Sequence, residues 1–290
     1  MDTQLSLRSQ ADPIVAAPLD CPPLMRISEV ERSHAPDSGL GRTAHWVRTY
    51  LAQPHERLGR QGAVCPFVPV SLQMDSLWFA EVDDPTPTFE HLSEVVMEYR
   101  RRFLEMLPTT GSEAMQKAIL IVFPSLSGEG PLGAGLVDAV QFALKKHFVQ
   151  QGLMLGEFHA TNASPGLRNK DFLPLRSPVP LLAIRNMVES DLPFLVSDAY
   201  RPRERASFLR AYISRMKGQL KPGKFEQVLD RLIAEEISIL KEDAMDGAAD
   251  ALVVPAATAP HACRAARGES THDDAARGSA ARQPSLGVQR

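Results

Sequence analysis

Cysteine is scarce in this chain, with three residues in 290, at Cys21, Cys65 and Cys263. An odd and widely spaced set offers no disulfide framework, and without a CxxC pair it offers no structural zinc site. Reduced thiols are the expectation. Long apolar runs are missing too. No stretch approaches the roughly 20 residues needed to cross a bilayer. The N-terminal residues place acids and prolines where a signal peptide needs a basic start and an apolar run. A cytoplasmic protein without membrane contact is expected. Nor is there a surplus of basic charge: 32 Lys and Arg face 35 Asp and Glu, for a net charge of −3. A dedicated nucleic-acid binder needs cations to neutralise phosphates, so no nucleic-acid partner is expected. Finally, no GxSxG, HExxH, P-loop or kinase-type motif occurs.

What is present is an ordinary globular composition, 44% apolar and 23% charged. Residues 1–40 mix Pro, Ser, Asp and Ala without periodicity and read as a disordered leader. Residues 246–290 lack any aromatic residue and are rich in Ala, Arg, Gly, Ser and Pro. Such a composition buries too little apolar surface to offset its ordering entropy and reads as a disordered tail. A globular domain is expected between them, over 41–220, followed by an amphipathic helix over 221–245.

Within that domain, residues 77–82, 117–123, 153–159 and 179–188 carry the apolar content of strands. Residues 89–107, 136–151 and 203–216 repeat apolar positions at three- and four-residue steps, as helices do. A short helix is read from Thr43 to Leu51. Residues 63–72, broken by Pro66 and Pro69, read as a buried extended loop. The alternation predicts an α+β or α/β fold with a single mixed sheet of four to five strands and packed helices. A ferredoxin-like plan and a small doubly wound sheet are the two candidates.

Several groups could carry chemistry. Gly128–Gly133 spells GEGPLG, a formal GxGxxG, with Glu157 near the position of a ribose-binding acid. Pro124–Ser127 separate it from the strand, Glu129 adds an anion and Pro131 removes a donor, so a plain glycine-rich loop is the simpler reading. Cys65, followed by Pro66, could present a thiolate to haem, the cofactor to test first; the alternative is a packed, inert thiol. Glu157 and His159 stand two apart on a strand and share a face, as an acid and the base it orients would. The alternative there is a rim histidine bonded to its neighbour. Arg185, inside an apolar strand, suits a bidentate anion clamp or a structural ion pair. The 163–180 loop could deliver Arg168, Asn169, Lys170, Asp171 or Arg176 to a cleft, or it could be a crossover anchored by Phe172 and Leu175.

The segments VCPFVPVSL, GEFHATNASPGLRN and PLRSPVPLLAIRNMVESDLPFL resemble a bacterial family catalogued as a domain of unknown function, over about 40–216. The resemblance implies no settled activity. It implies an association with secondary-metabolite gene sets, and hence small-molecule work. Where the family tends to carry His after the strand arginine, this chain has Asn186.

Together these readings predict a small-molecule enzyme, with an oxidoreductase as one form. Its site would join the 63–69 loop, Glu157, His159 and Arg185. The second reading is a non-catalytic binding module. There, the 225–244 helix would offer Leu229, Leu232, Ile233, Ile237 and Leu240 to a protein partner or to a second copy.

Overall fold

The computed structural model describes residues 19, 21–128 and 133–251. Five strands form one mixed sheet: β1 (Met25–Arg26), β2 (Leu77–Glu81), β3 (Ala118–Val122), β4 (Leu153–Phe158) and β5 (Leu181–Asn186). Their order is β1-β2-β3-β5-β4. Strands β2 and β3 pair in parallel, while β5 runs antiparallel to both of its neighbours, β3 and β4. The predicted α+β class with a single mixed sheet is therefore found. The antiparallel insertion of β5 departs from an all-parallel doubly wound sheet. The chain order also departs from the βαββαβ order of a ferredoxin-like plan.

Helices cover both faces of the sheet. Along the chain they are α1 (Ile27–Ser33), α2 (Gly39–Trp46), α3 (Val68–Gln73), α4 (Phe89–Glu105), α5 (Gly111–Gln116), α6 (Ala134–Val149), α7 (Leu192–Leu195), α8 (Pro202–Met216) and α9 (Pro222–Ala251). On one face, Val96, Tyr99 and Phe103 of α4 and Val137, Val140 and Phe148 of α6 pack on Ile119, Ile121, Leu155 and Ile184. On the other, Ile27, Val30, Leu40 and Val47 pack on Phe79, Leu120, Val122 and Leu181. A third cluster joins Met154 and Met187 to Phe208, Leu209 and Tyr212 of α8 and Val228 of α9. Each fully buried side chain of this kind contributes roughly 1.5–3 kcal/mol.

Local signals explain the ends of these elements. Thr88 caps α4, its hydroxyl accepting from the His91 amide at 3.1 Å. Gly152 closes α6 with φ 72°, a left-handed turn that leads straight into β4. Pro222 opens α9, where its missing N–H costs nothing.

Four expectations need correction. The leader of 1–40 is structured from Cys21 onward: Cys21 is buried in the main core, and α1 and α2 supply much of the second. The Tyr99 hydroxyl fastens the segment by donating to the Pro22 carbonyl at 2.8 Å. Apolar residues in this stretch are spaced for one short helix each, too short to register as periodicity. The Thr43–Leu51 helix begins earlier, at a Ser38 cap, and passes into a π-helical turn over Val47–Leu51. Part of the extended 63–72 loop is the helix α3, because Pro69 sits in its first turn, where proline is tolerated. The tail expected from 246 starts inside α9; residues 252–290, Cys263 among them, lie outside the described residues.

The C-terminal end of α4 is closed by a buried lysine. Lys117 Nζ donates to the carbonyls of Phe103 and Pro108, each at 3.0 Å, and to that of Met106. Burial lowers its pKa from the ordinary lysine range. We expect Lys117→Met to destabilise the protein by about 1–3 kcal/mol, read from urea unfolding, since three carbonyls lose their donor. An unchanged midpoint would contradict that role.

Candidate active site

Strand β4 is an edge of the sheet, and α6 lies along it. Because α6 connects the parallel strands β3 and β4, it runs against β4, and the beginning of the helix meets the end of the strand. There His159, the first residue after β4, lies within hydrogen-bonding distance of two side chains. Its Nε2 is 3.0 Å from Asp138 Oδ1, and its Nδ1 is 3.0 Å from Thr161 Oγ1. The imidazole is buried, whereas the Asp138 side chain is 51% exposed and Thr161 is exposed. A carboxylate can only accept, so in the neutral ring Nε2 donates to Asp138. That leaves Nδ1 as acceptor for the Thr161 hydroxyl.

Glu157 lies two residues back on the same face of β4. Burial raises its pKa. Its own amide, the Lys145 cation and His159 oppose that rise, and Asp138 adds to it. Lys145 sits two turns along α6 from Asp138, and Gln141 between them donates to the Leu155 carbonyl at 2.9 Å. Lys145 is itself buried. Its Nζ donates to the Tyr200 hydroxyl and the Phe194 carbonyl, each at 2.9 Å. Burial brings its pKa down to about 8, against the pull of Glu157 and Asp191. Burial also pushes the Tyr200 phenol up to about 12. The seam between α6 and β4 is thus a polar stripe inside an otherwise apolar contact. Perturbed acids and bases gathered in one place are what proton-transfer sites require.

The other predicted residues are elsewhere. Arg185 pairs in register with Met154, at the opposite end of β4 from His159. Five residues at about 3.3 Å each separate the two levels by roughly 16 Å. Alternation along β5 also points Arg185 to the opposite face. There it grips Asp191 through both guanidinium nitrogens, at 2.8 and 2.6 Å, donates to the Asn186 carbonyl, and lies 5.3 Å from the Phe67 ring centre. Asp191 also accepts from the Val188 amide at 2.8 Å. The guanidinium fixes the turn after β5, the structural side of the sequence alternatives.

Cys65 lies near Arg185 and packs half-buried against the second core. It is not disulfide-bonded. Cys65 and Arg185 therefore share one neighbourhood, while Glu157 and His159 share another. The single cleft expected to join all four is not formed, because antiparallel pairing of β4 with β5 places their outer residues at opposite ends. Near Phe67 a shallow groove of about 480 Å³ is lined by Val188, Glu189, Ser190, Leu192, Pro193 and Lys224, with neither Cys65 nor His159 on its wall.

The 163–180 loop is a packed crossover: Phe172 is buried and stacks on His55 at 4.5 Å, and the Asn169 side chain donates to the Arg57 carbonyl at 2.8 Å. Of the GEGPLG motif, residues 129–132 lie outside the described residues. A 3-10 turn over Pro124–Ser127 does separate the motif from β3. Among the described residues, no group of three His, Cys, Asp or Glu side chains is placed to hold a metal.

Sequence reading missed Asp138, Thr161, Lys145 and Tyr200. Asp138 and Lys145 carried a usable signal. Seven residues apart on a helix, they fall on one face, and Lys145 falls within the apolar stripe of Leu144 and Phe148. Nothing local pairs Asp138 with His159, since that contact depends on the crossover.

Residues 40–223 match the model of a family described as a domain of unknown function, DUF6875. No curated protein and no solved structure matches the chain.

The raised pKa of Glu157 has a sign that can be checked. Below its unfolded pKa the carboxyl is neutral in both states and burial costs nothing extra. As pH rises through the folded value, the buried form must ionise and stability is lost. We expect Glu157→Gln to raise the melting temperature at pH 8 relative to the parent, and to leave it nearly unchanged at pH 4. Each kcal/mol of relieved cost is worth about 2–4 °C in a domain of this size. A lower melting temperature at pH 8 would mean that the ionised carboxylate is stabilised in place.

Proposed function

The chain belongs to the DUF6875 family, whose description carries no activity, and we propose that it is an enzyme performing acid–base chemistry on a small molecule at the α6–β4 seam. The observation that carries this reading is the hydrogen-bonded chain from Asp138 through His159 to the hydroxyl of Thr161, an exposed residue. His159 is the base, acting through Nδ1. Asp138 is a positioning residue that holds the ring and favours its positive charge once the proton is taken. Glu157, kept towards its neutral form by burial, stands beside them as a proton donor. The reading keeps the small-molecule enzyme expected from sequence. It replaces oxidoreductase chemistry with proton transfer, because Cys65 and Arg185 lie away from His159.

A panel of chromogenic esters, amides and carbon acids tests it. We expect turnover of at least one class. His159→Gln should lower kcat/KM by about 10²–10⁴-fold, the usual worth of a general base, and remove the acidic limb of the pH–rate profile, where protonation of the base stops turnover. Asp138→Asn should lower it without abolishing it. Turnover indifferent to His159→Gln would overturn the proposal.

A second reading rests on α9. Val228, Glu235 and Ile239 are its buried side, with the Glu235 carboxylate held by Arg205 at 2.8 Å. Ile233, Ile237 and Leu240 remain exposed on the other, at i, i+4 and i+7. Nearly all of this helix lies beyond the family match. The reading is a protein-interaction helix serving a partner or a second copy. Light scattering coupled to size exclusion checks the second copy: a dimeric parent made monomeric by Ile233→Glu with Ile237→Glu supports it, and a monomeric parent removes it.

A further inference from the structure

We propose that Thr161 is the nucleophile of this site and that the substrate is a small ester or thioester, an inference that rests on the acid–base reading above. The acceptor face of Nδ1 is not open to water: Thr161 Oγ1 occupies it at 3.0 Å. The group that loses its proton to His159 is therefore the threonine hydroxyl. Thr161 is an exposed residue, while the ring behind it is buried. Nucleophile bonded to base, and base bonded to an orienting acid, is the arrangement that activates an otherwise weak alcohol. It recurs on unrelated folds and is recognised by geometry.

The chemistry balances without a further reagent. Thr161 Oγ1 attacks the carbonyl carbon, its proton passes to His159 Nδ1, and the new C–O bond forms. The tetrahedral centre collapses by breaking the bond to the alcohol oxygen or thiol sulfur, and that leaving group takes the proton from Nδ1. Water then adds to the acyl-threonine, giving its proton to the same nitrogen. The acid departs and the hydroxyl is restored. The imidazolium present between the steps faces the Asp138 carboxylate at 3.0 Å, with Glu157 close enough for its titration to respond to both. An ester or thioester fits better than an amide, because its leaving group departs with little help and the open setting of Thr161 offers little enclosure to supply that help.

The test is covalent capture in the full chain. The protein is treated with an alkyl fluorophosphonate, which phosphonylates activated hydroxyls with loss of fluoride, and the modified peptide is mapped by mass spectrometry. A single adduct on Thr161 is expected. It should disappear in Thr161→Val, persist in Thr161→Ser, vanish in His159→Gln and form at least tenfold more slowly in Asp138→Asn. Asp138 is half exposed, so that variant reports even if the buried His159 substitution fails to fold. Two results would overturn the proposal: no adduct on Thr161 in protein shown folded by circular dichroism, or labelling equally fast in Asp138→Asn. If turnover still depends on His159 while Thr161 stays unlabelled, the nucleophile assignment falls and the acid–base reading stands. If turnover ignores His159 as well, both fall.

Discussion

Antiparallel insertion of β5 between β3 and β4 governs much of this architecture. The chain leaves β3, crosses through α6 and comes down as β4 one strand spacing too far out, leaving a gap that β5 fills from the opposite direction. Strand β4 thereby becomes an edge, with an outer row of backbone groups lacking a sheet neighbour. The sheet answers this by covering that end: Met154 packs with Phe208, Leu209 and Tyr212 of α8 and Val228 of α9. The same insertion sets Arg185 and His159 at opposite ends of adjacent strands. The two residues that sequence reading placed in one cleft are kept apart by register.

A polar seam within such an edge is costly, and the cost indicates what the seam is for. Burying Lys145, and Glu157 in part, withdraws them from water, which favours their neutral forms. Their partners are incomplete compensation: Lys145 finds a carbonyl and a phenol, and Glu157 meets fields of both signs. An apolar pair at these positions would extend the contact made by Leu144, Phe148 and Leu155. Arg185 and Asp191 show the contrasting case, where both guanidinium nitrogens and both carboxylate oxygens are used and the pair fixes a turn. Saturated pairing marks the structural group; unsaturated, perturbed pairing marks the candidate for chemistry.

Strands β2 to β5 and the longer helices were legible because each is long enough for its hydrophobic period to show. Leu92, Val96, Tyr99 and Phe103 all point inward from α4 as their spacing requires. The two-residue β1 and the short helices α1 and α3 were not legible. β1 is two residues long, and α1 buries only Ile27 and Val30; their membership of the fold is a matter of tertiary contact alone. The site divided along the same line. Glu157 and His159 could be paired from strand alternation, a local rule. Asp138 could not be added, since 21 residues of crossover bring it to His159. Arg185 stood in the sequence equally as an anion clamp and as half of a structural ion pair with Glu157 or Asp191, and the choice of Asp191 depends on the turn after β5.

The placement of the seam agrees with its proposed use. In sheets built from strand–helix–strand crossovers, the carboxyl ends of the strands and the amino ends of the following helices lie on one side, where loops can vary without disturbing the core. His159 follows the carboxyl end of β4 and Asp138 lies in the second turn of α6, so their contact is made on that side. Both residues hang from rigid elements, one from a strand tied to β5 and the other from a helix packed on two cores' worth of side chains. Only Thr161 sits in a loop, and the Asn162 amide, which donates to the His159 carbonyl at 3.2 Å, folds that loop back over the ring. Acid and base are thus held by the scaffold, while the hydroxyl is carried by a short turn that returns it to the base. A nucleophile that must gain and lose an acyl group needs that combination of a fixed proton path and an accessible oxygen.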